Sequence, residues 1–415
     1  MRTAVIVASC ESYRVADFVK AAAALRIELV VATDAELPLA GGVRHLEVDL
    51  ALPDGAAAKI AVEVPEAGAV VAIEDEGVEV AAAASALLQL PHSRPAGVAA
   101  TRNKLVMRSL LAAGGVPQPD YGVAASGELG ATAAAVGYPV VVKPLGLTAS
   151  RGVIRLDGAQ RVEQVEQRIR RILVDAGENP DEVLLVEGYV PGREMVIEGV
   201  LHEGELVVLA AIDKPDPLEG PFFEETLFVT PSRWSSETQE GAIEAVRLAL
   251  RALGMVAGPI HAEVRLTPDD EIRVLEVAAR SIGGLCGRSL TFGLLGESLE
   301  VVVLRAAFGD SIGNPQPARA SSGVLMLPIP ASGVLTGVEG VEQVKGHGGI
   351  DDVQITIPIG RKVLALPEGD RYLGFVFASG ATPEEVEAAL RGAASELAVT
   401  IDGEALESSG LSLLV

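Results

Sequence analysis

The sequence predicts a protein of mixed class, an α/β opening followed by α+β segments, and three observations carry that expectation. The stretch TAVIVASCESYRVADFVKAAAALRIELVVATD, residues 3–34, runs as a β-branched strand, a helical stripe through Phe18, Ala22 and Leu25, and a second apolar strand. That order is the opening of a parallel βαβ unit. A further strand, AGAVVAIED, precedes the Ala-rich segment EVAAAASALLQL, so residues up to about 95 read as one small doubly wound domain. Beyond it the strands shorten and pair as hairpins around tight turns.

Each later element has its own warrant. TRNKLVMRSLLAAGGVPQPDYG is a helix that Thr101 or Asn103 caps, with Leu105, Leu110 and Leu111 on one stripe and Gly114, Gly115 and Pro117 to stop it. YPVVVKP and GVIRL form a strand pair joined by the small-residue loop LGLTASR. The polar helix AQRVEQVEQRIRRILVDAG leads to the strand VLLVEGYVP, and REMVIEGVLHEGELVVLAAID turns back on itself at EGE. PSRWSSETQEGAIEAVRLALRALG contains a helix, after which HAEVRLT and EIRVLEVAAR flank the turn PDD. Near Gly309 the composition shifts to Gly, Ser and Pro with short strands in SSGVLMLPIP, DDVQITIPIG and LGFVFASG. Thr382, Pro383 and Glu385 then start the helix TPEEVEAALRGAASEL. No fixed-period repeat is evident.

Composition narrows the function. A chain of 415 residues with 49% hydrophobic content has material for several packed cores, about three domains by length. Its formal charge of −24 repels phosphate backbones and anionic lipid, which argues against nucleic acid and membrane as partners. The N-terminus MRTAVIVAS lacks the features of a secretion signal, and no apolar run is long enough for a bilayer span, so a cytosolic location is expected. Cys10 and Cys286 read as small fillers rather than a disulfide framework, and five scattered histidines argue against zinc. The first strand is not followed by GxGxxG, which removes the support for hydride transfer.

Four features in chain order suit phosphate and metal. Lys143 ends a strand where a buried lysine needs an anionic partner to stay charged. The loop from Gly146 to Gly152 follows; it is either an ordinary hairpin connection or, with Ala149 and Ser150, a backbone cradle for an anion. Glu187 and Glu194 bracket the turn GYVPGR. Glu263 and Glu276 lie on strands joined by a tight turn and are expected to face one point, a pairing that a divalent cation relieves. VLEVAARSIGG adds Arg280, Gly283 and Gly284 just beyond. His261, beside Glu263, is assigned to the opposite strand face and to a structural role.

The order of these pieces resembles the ATP-grasp superfamily over about residues 1–310. The tail LGFVFASGATPEEVEAALRGA resembles the C-terminal domain of the L-amino-acid ligase branch, carboxylate-amine ligases that make dipeptides or amide-containing metabolites. The resemblance implies a preATP-grasp doubly wound domain over 1–95, and an ATP-grasp domain of two α+β subdomains over 96–310. Within the latter a small ATP lid spans about 120–190, and a small C-terminal α+β domain follows over 311–415.

It also implies ATP and Mg²⁺ as cofactors, small-molecule carboxylate and amine substrates, and a homodimer as its relatives form. By position, Lys104 and Lys143 are implied to contact the phosphates, with Gly146, Ser150 and Gly152 in the loop that closes over them. Glu187 and the Val190 backbone are implied to read adenine, and Glu194 the ribose. Glu263 and Glu276 are the implied metal ligands; Arg280 stabilises the transferred phosphoryl group while Gly283 and Gly284 leave room for an acyl-phosphate. Glu225 is implied to recognise a substrate ammonium. Phe228 departs from a histidine at that place and points to a more apolar pocket with Phe222 and Phe223. Ala278 departs from an asparagine that adds a metal ligand. The rival readings are a ligase with another acceptor, of carboxylase or acyl-CoA type, and a non-catalytic nucleotide binder.

Overall fold

The computed structural model describes residues 2–37, 43–293, 295–312 and 319–406. The opening domain is a four-stranded parallel sheet in the order Arg44–Glu47, Glu28–Thr33, Thr3–Val7, Ala67–Ala72. Its central strands are buried on both faces, which is why they read as unbroken apolar runs rather than alternating ones. Ala4 and Ile6 pack toward Phe18 and Ala22 of the helix Val15–Leu25, while Val5 and Val7 pack toward Ile60 and Ala81 of the helices Pro53–Glu63 and Val78–Leu87. The strand Arg44–Glu47 and the helix Pro53–Glu63 were not assigned from the sequence. That helix buries only Ala56, Ala57 and Ile60, a stripe of small residues with weak periodicity.

A second, antiparallel sheet has the order Tyr121–Ala124, Leu184–Gly188, Val140–Lys143, Ile154–Leu156. The helix Val162–Asp175 covers it with Val165, Ile169, Ile172 and Leu173, the spacing of one helical face.

The third sheet has eight antiparallel strands: Ile272–Ala278, Gly258–Leu266, Arg193–His202, Glu205–Lys214, Leu227–Thr230, Ser321–Leu327, Gly374–Gly380 and Ile350–Ile355. The last three come from the tail, which therefore extends the central sheet through the pairing of Leu227–Thr230 with Ser321–Leu327. The helix Ser236–Leu253 lies against this sheet, burying Val246, Leu250 and Leu253, each worth about 2 kcal/mol of transfer free energy. Thr382 caps the tail helix Pro383–Glu396 by accepting from the Glu385 amide at 3.2 Å. Among the described residues no helix is long and apolar enough to cross a membrane.

Candidate active site

Two cavities meet under the loop that joins Val140–Lys143 to Ile154–Leu156. The first lies between the small antiparallel sheet and the central sheet and is lined by Lys104, Lys143, Glu187, Val190 and Glu194 among others. The second lies between the opening domain and the central sheet, with Asp75, His261, Arg280, Gly283 and Gly284 on its walls. Both are lined by Thr148, Ala149, Ser150, Glu225, Glu263 and Glu276.

Lys104 is the first residue of a helix whose cap is Asn103, accepting from the amides of Leu105 and Val106 at 3.1 Å each. That entry turns Lys104 inward, and its Nζ donates to the Leu147 carbonyl at 2.7 Å. The loop beyond carries positive φ at Ala149 (52°), Ser150 (57°) and Gly152 (72°). Two residues with a Cβ held in the left-handed region are a local cost that fixes a curled backbone.

Lys143 has the anionic partner its position requires: Glu187 accepts from Lys143 Nζ at 2.6 Å with one oxygen and from Arg108 Nε at 2.6 Å with the other. Burial works to raise the Glu187 carboxyl, but Arg108 and Lys143 outweigh it and hold it down at about 2. Arg108, wholly buried, was not singled out from the sequence. The Val190 carbonyl accepts from Arg265 Nη1 at 2.8 Å. Glu194 accepts from Lys214 Nζ at 2.5 Å and from Arg265.

Lys214 was also missed, although the rule that selected Lys143 applies to it: an apolar strand ending in Lys-Pro. Its Nζ is ion-paired with Glu194, Glu225 and, at 3.0 Å, Glu263. Burial works to lower the Lys214 ammonium, and these carboxylates raise it well above its ordinary value. Oxygens of the three lie within 4.8 Å of one another. An ammonium already compensates that cluster.

Glu263 and Glu276 are register partners across the hairpin, as the tight turn led us to expect. Glu276 has no hydrogen bond or ion pair among the described residues, which leaves both its oxygens for a ligand. Two facing carboxylates are the hard donors that Mg²⁺ takes. Ala278 is buried nearby and offers no donor.

Arg280 donates to Asp75 of the opening domain from Nε at 2.8 Å and Nη2 at 2.7 Å, and Arg14 Nη2 donates to Ser281 Oγ at 2.9 Å. Gly284 has φ 59°, and a Cβ there would lie 2.9 Å from Cζ of Phe375, so glycine is required by conformation and space alike.

Two expectations are corrected. His261 is not on the opposite face from Glu263: residues two apart on a strand share a face, and His261 Nε2 lies 3.6 Å from Glu263 Oε1 on the second cavity. Burial would lower the imidazole, but Glu198 and Glu263 raise it to about 9. The three phenylalanines also do not form one pocket. Phe228 is buried on the second cavity, Phe223 lines the first beside Tyr189, and Phe222 packs on the core of the small sheet under Arg168. Glu225 is on the wall of both cavities but already paired with Lys214.

Residues 136–289 match the ATP-grasp domain family, and residues 325–402 match L-amino acid ligase C-terminal domain 2. The chain thus carries an ATP-grasp domain over residues 136–289 and is similar to the ATP-grasp superfamily. Within it, the chain is similar to the L-amino acid ligases. The L-amino acid ligase of Bacillus licheniformis superposes with a TM-score of 0.79 at 25% identity, covering 97% of this chain and 99% of that one. An uncharacterized protein of Sinorhizobium fredii is 26% identical over 294 residues, 70% of this chain and 59% of its own length. The alanine–anticapsin ligase of Bacillus subtilis is 26% identical over 164 residues, 36% of this chain and 34% of its own. The chain thus spans between a third and three fifths of these curated relatives.

Proposed function

We propose that the chain is an ATP-dependent carboxylate-amine ligase that forms an amide or peptide bond on amino-acid-like substrates, releasing ADP and phosphate. The observation that carries this reading is the shared wall: the cleft lined by Lys104, Lys143 and Glu187 and a second cavity meet at Glu225, Glu263 and Glu276. A phosphoryl group passing from one to the other crosses that wall.

In this reading Lys104, Lys143 and the 146–152 loop hold the ATP phosphates, Glu187 and the Val190 backbone read adenine, and Glu194 holds the ribose. Glu263 and Glu276 would hold Mg²⁺, which neutralises charge on the phosphates when bound. A substrate carboxylate in the second cavity attacks the γ-phosphate, and Arg280 stabilises the transferring group. The acyl-phosphate lies against Gly283 and Gly284, and the amine, recognised through Glu225 and packed on Phe228, displaces phosphate. Carboxylate and amine do not condense on their own in water; phosphorylation supplies the leaving group, and holding the partners together supplies much of the rate. The division into 1–95, 96–310 and 311–415, a cytosolic location and a homodimer belong to the same proposal.

The test is release of ADP and phosphate from ATP and Mg²⁺ across a matrix of single and paired amino acids, with Glu276→Ala and Arg280→Ala alongside. Release that depends on a particular pair and is lost in both variants supports the ligase. Nucleotide binding without turnover on any pair overturns it.

A further inference from the structure

Glu198 sits in the middle of the strand Arg193–His202, wholly removed from solvent, with Val196, Ile197, Val200 and Leu201 around it in sequence. A carboxylate there is strongly disfavoured unless both oxygens are matched, and an apolar side chain would satisfy the strand's packing without that cost. Both oxygens are matched. Oε1 accepts the Ile282 N–H at 2.9 Å, within the backbone that carries Arg280 and Gly283. Oε2 lies 3.0 Å from Nδ1 of His261, its register partner on the neighbouring strand. Facing a carboxylate, Nδ1 must donate, which fixes the ring and leaves Nε2 toward Oε1 of Glu263 at 3.6 Å. One buried carboxylate therefore pins two sides of the second cavity, the loop behind Arg280 and the ring beside Glu263.

We propose that Glu198 is a positioning residue for phosphoryl transfer, acting through His261 to set the Glu263 carboxylate where it holds the metal-nucleotide. The inference rests on the ligase reading above. Glu198 lines neither cavity, so its effect travels through the ring and the loop. Outer partners that orient a ligating group typically account for 10- to 100-fold in metal affinity or activity.

The test uses the full-length chain with Glu198→Gln, His261→Gln and the double variant. Glutamine keeps the length of Glu198 and an oxygen for the Ile282 amide, but it no longer presents a carboxylate to Nδ1. The first readout is the affinity for Mn²⁺ in the presence of a non-hydrolysable ATP analogue, which needs no turnover. Each single variant is expected to weaken Mn²⁺ binding roughly tenfold, and the double variant to lose no more than the weaker single, because both act through one contact. With the active amino-acid pair, kcat falls while the KM of the amine holds within about twofold. Unchanged Mn²⁺ affinity in either single variant, or losses that multiply in the double, overturns the proposal. Melting temperatures establish that the variants fold; if Glu198→Gln does not, unchanged Mn²⁺ affinity in His261→Gln alone overturns it. Failure of the wild-type chain to join any pair counts against the ligase reading and leaves the Mn²⁺ measurement standing.

Discussion

Asp75 holds Arg280 across the boundary between the opening domain and the central sheet: Nε and Nη2 of the arginine both donate to one carboxylate oxygen, at 2.8 and 2.7 Å. Burial acts to raise the Asp75 carboxyl, yet Arg280 and Arg102 hold it below its ordinary range, so the pair stays charged at neutral pH. The residue sits just beyond the carboxyl end of the parallel strand Ala67–Ala72, where ligand-facing groups of such sheets collect.

Asp75→Asn is therefore expected to lower kcat about tenfold, equivalent to one charge-assisted hydrogen bond of about 1.4 kcal/mol. The KM of ATP is expected to hold, because Arg280 is on the second cavity and not the first. Steady-state kinetics on the active pair decides it. A rise in the ATP KM at constant kcat contradicts this account.

Glu276, without an ion pair among the described residues, and Glu263, tied to Lys214 and His261, predict different consequences of substitution. Glu276→Gln removes a free donor and should raise the Mg²⁺ concentration for half-maximal turnover about tenfold, with little change in melting temperature. Glu263→Gln also removes one of the carboxylates that compensates buried Lys214 and should lower the melting temperature as well. A Mg²⁺ titration and a thermal melt of each variant check the pair. Chelation by EDTA should silence the wild type, and added Mg²⁺ should restore it.

Much of this site was legible because local rules decide it. The tight turn between HAEVRLT and EIRVLEVAAR fixed the register that sets Glu263 against Glu276, and Asn103 was one of two caps considered for the helix that buries Lys104. What escaped was non-local. Alternation shows that a strand has two faces but not which strand it will pair with, so the tail read as separate although its strands Ser321–Leu327, Gly374–Gly380 and Ile350–Ile355 complete the central sheet. Arg108 and Glu187 are 79 positions apart, and nothing in either neighbourhood announces the other. Lys214 follows from the same strand-end rule that points to Lys143, and His261 shares a face with Glu263 by the strand's period of two, so both placements are legible in the sequence.

Glu224 has a sign opposite to the usual carboxylate. It lines neither cavity, and burial raises it to about 7 against a partly offsetting backbone hydrogen bond from Ile329. Below the unfolded value, near 4.3, both states carry the proton and the group contributes nothing to the pH dependence. As pH rises from there toward 7 the unfolded chain ionises while the native one does not, so stability falls, by up to roughly 4 kcal/mol, and then levels off. Glu224→Gln is expected to melt higher than wild type at pH 8 and at the same temperature at pH 4. An equal shift at both pH values assigns the effect to packing instead.

The small antiparallel sheet is tied to the tail at the site's rim. Arg168, on the helix Val162–Asp175, makes a two-point contact with Glu368 at 2.7 and 2.9 Å, the Gly152 amide donates to the Pro367 carbonyl at 2.9 Å, and Arg151 reaches Asp370 at 3.5 Å. Asp370 also lines the second cavity, so one tail segment touches both the loop over the first cavity and the wall of the second. Both Arg168 and Glu368 are about a third exposed, which limits their pairing to roughly 0.5–1 kcal/mol. Opening Arg168→Ala should therefore raise the KM of ATP two- to fivefold at nearly constant kcat, and should speed limited proteolysis within residues 146–152. The charge-reversed pair Arg168→Glu with Glu368→Arg should recover part of both losses, because the contact is restored while its neighbours are unchanged. Recovery of neither would mean that Arg168 acts through its stacking on Phe222, 5.0 Å from the ring centre, rather than through Glu368.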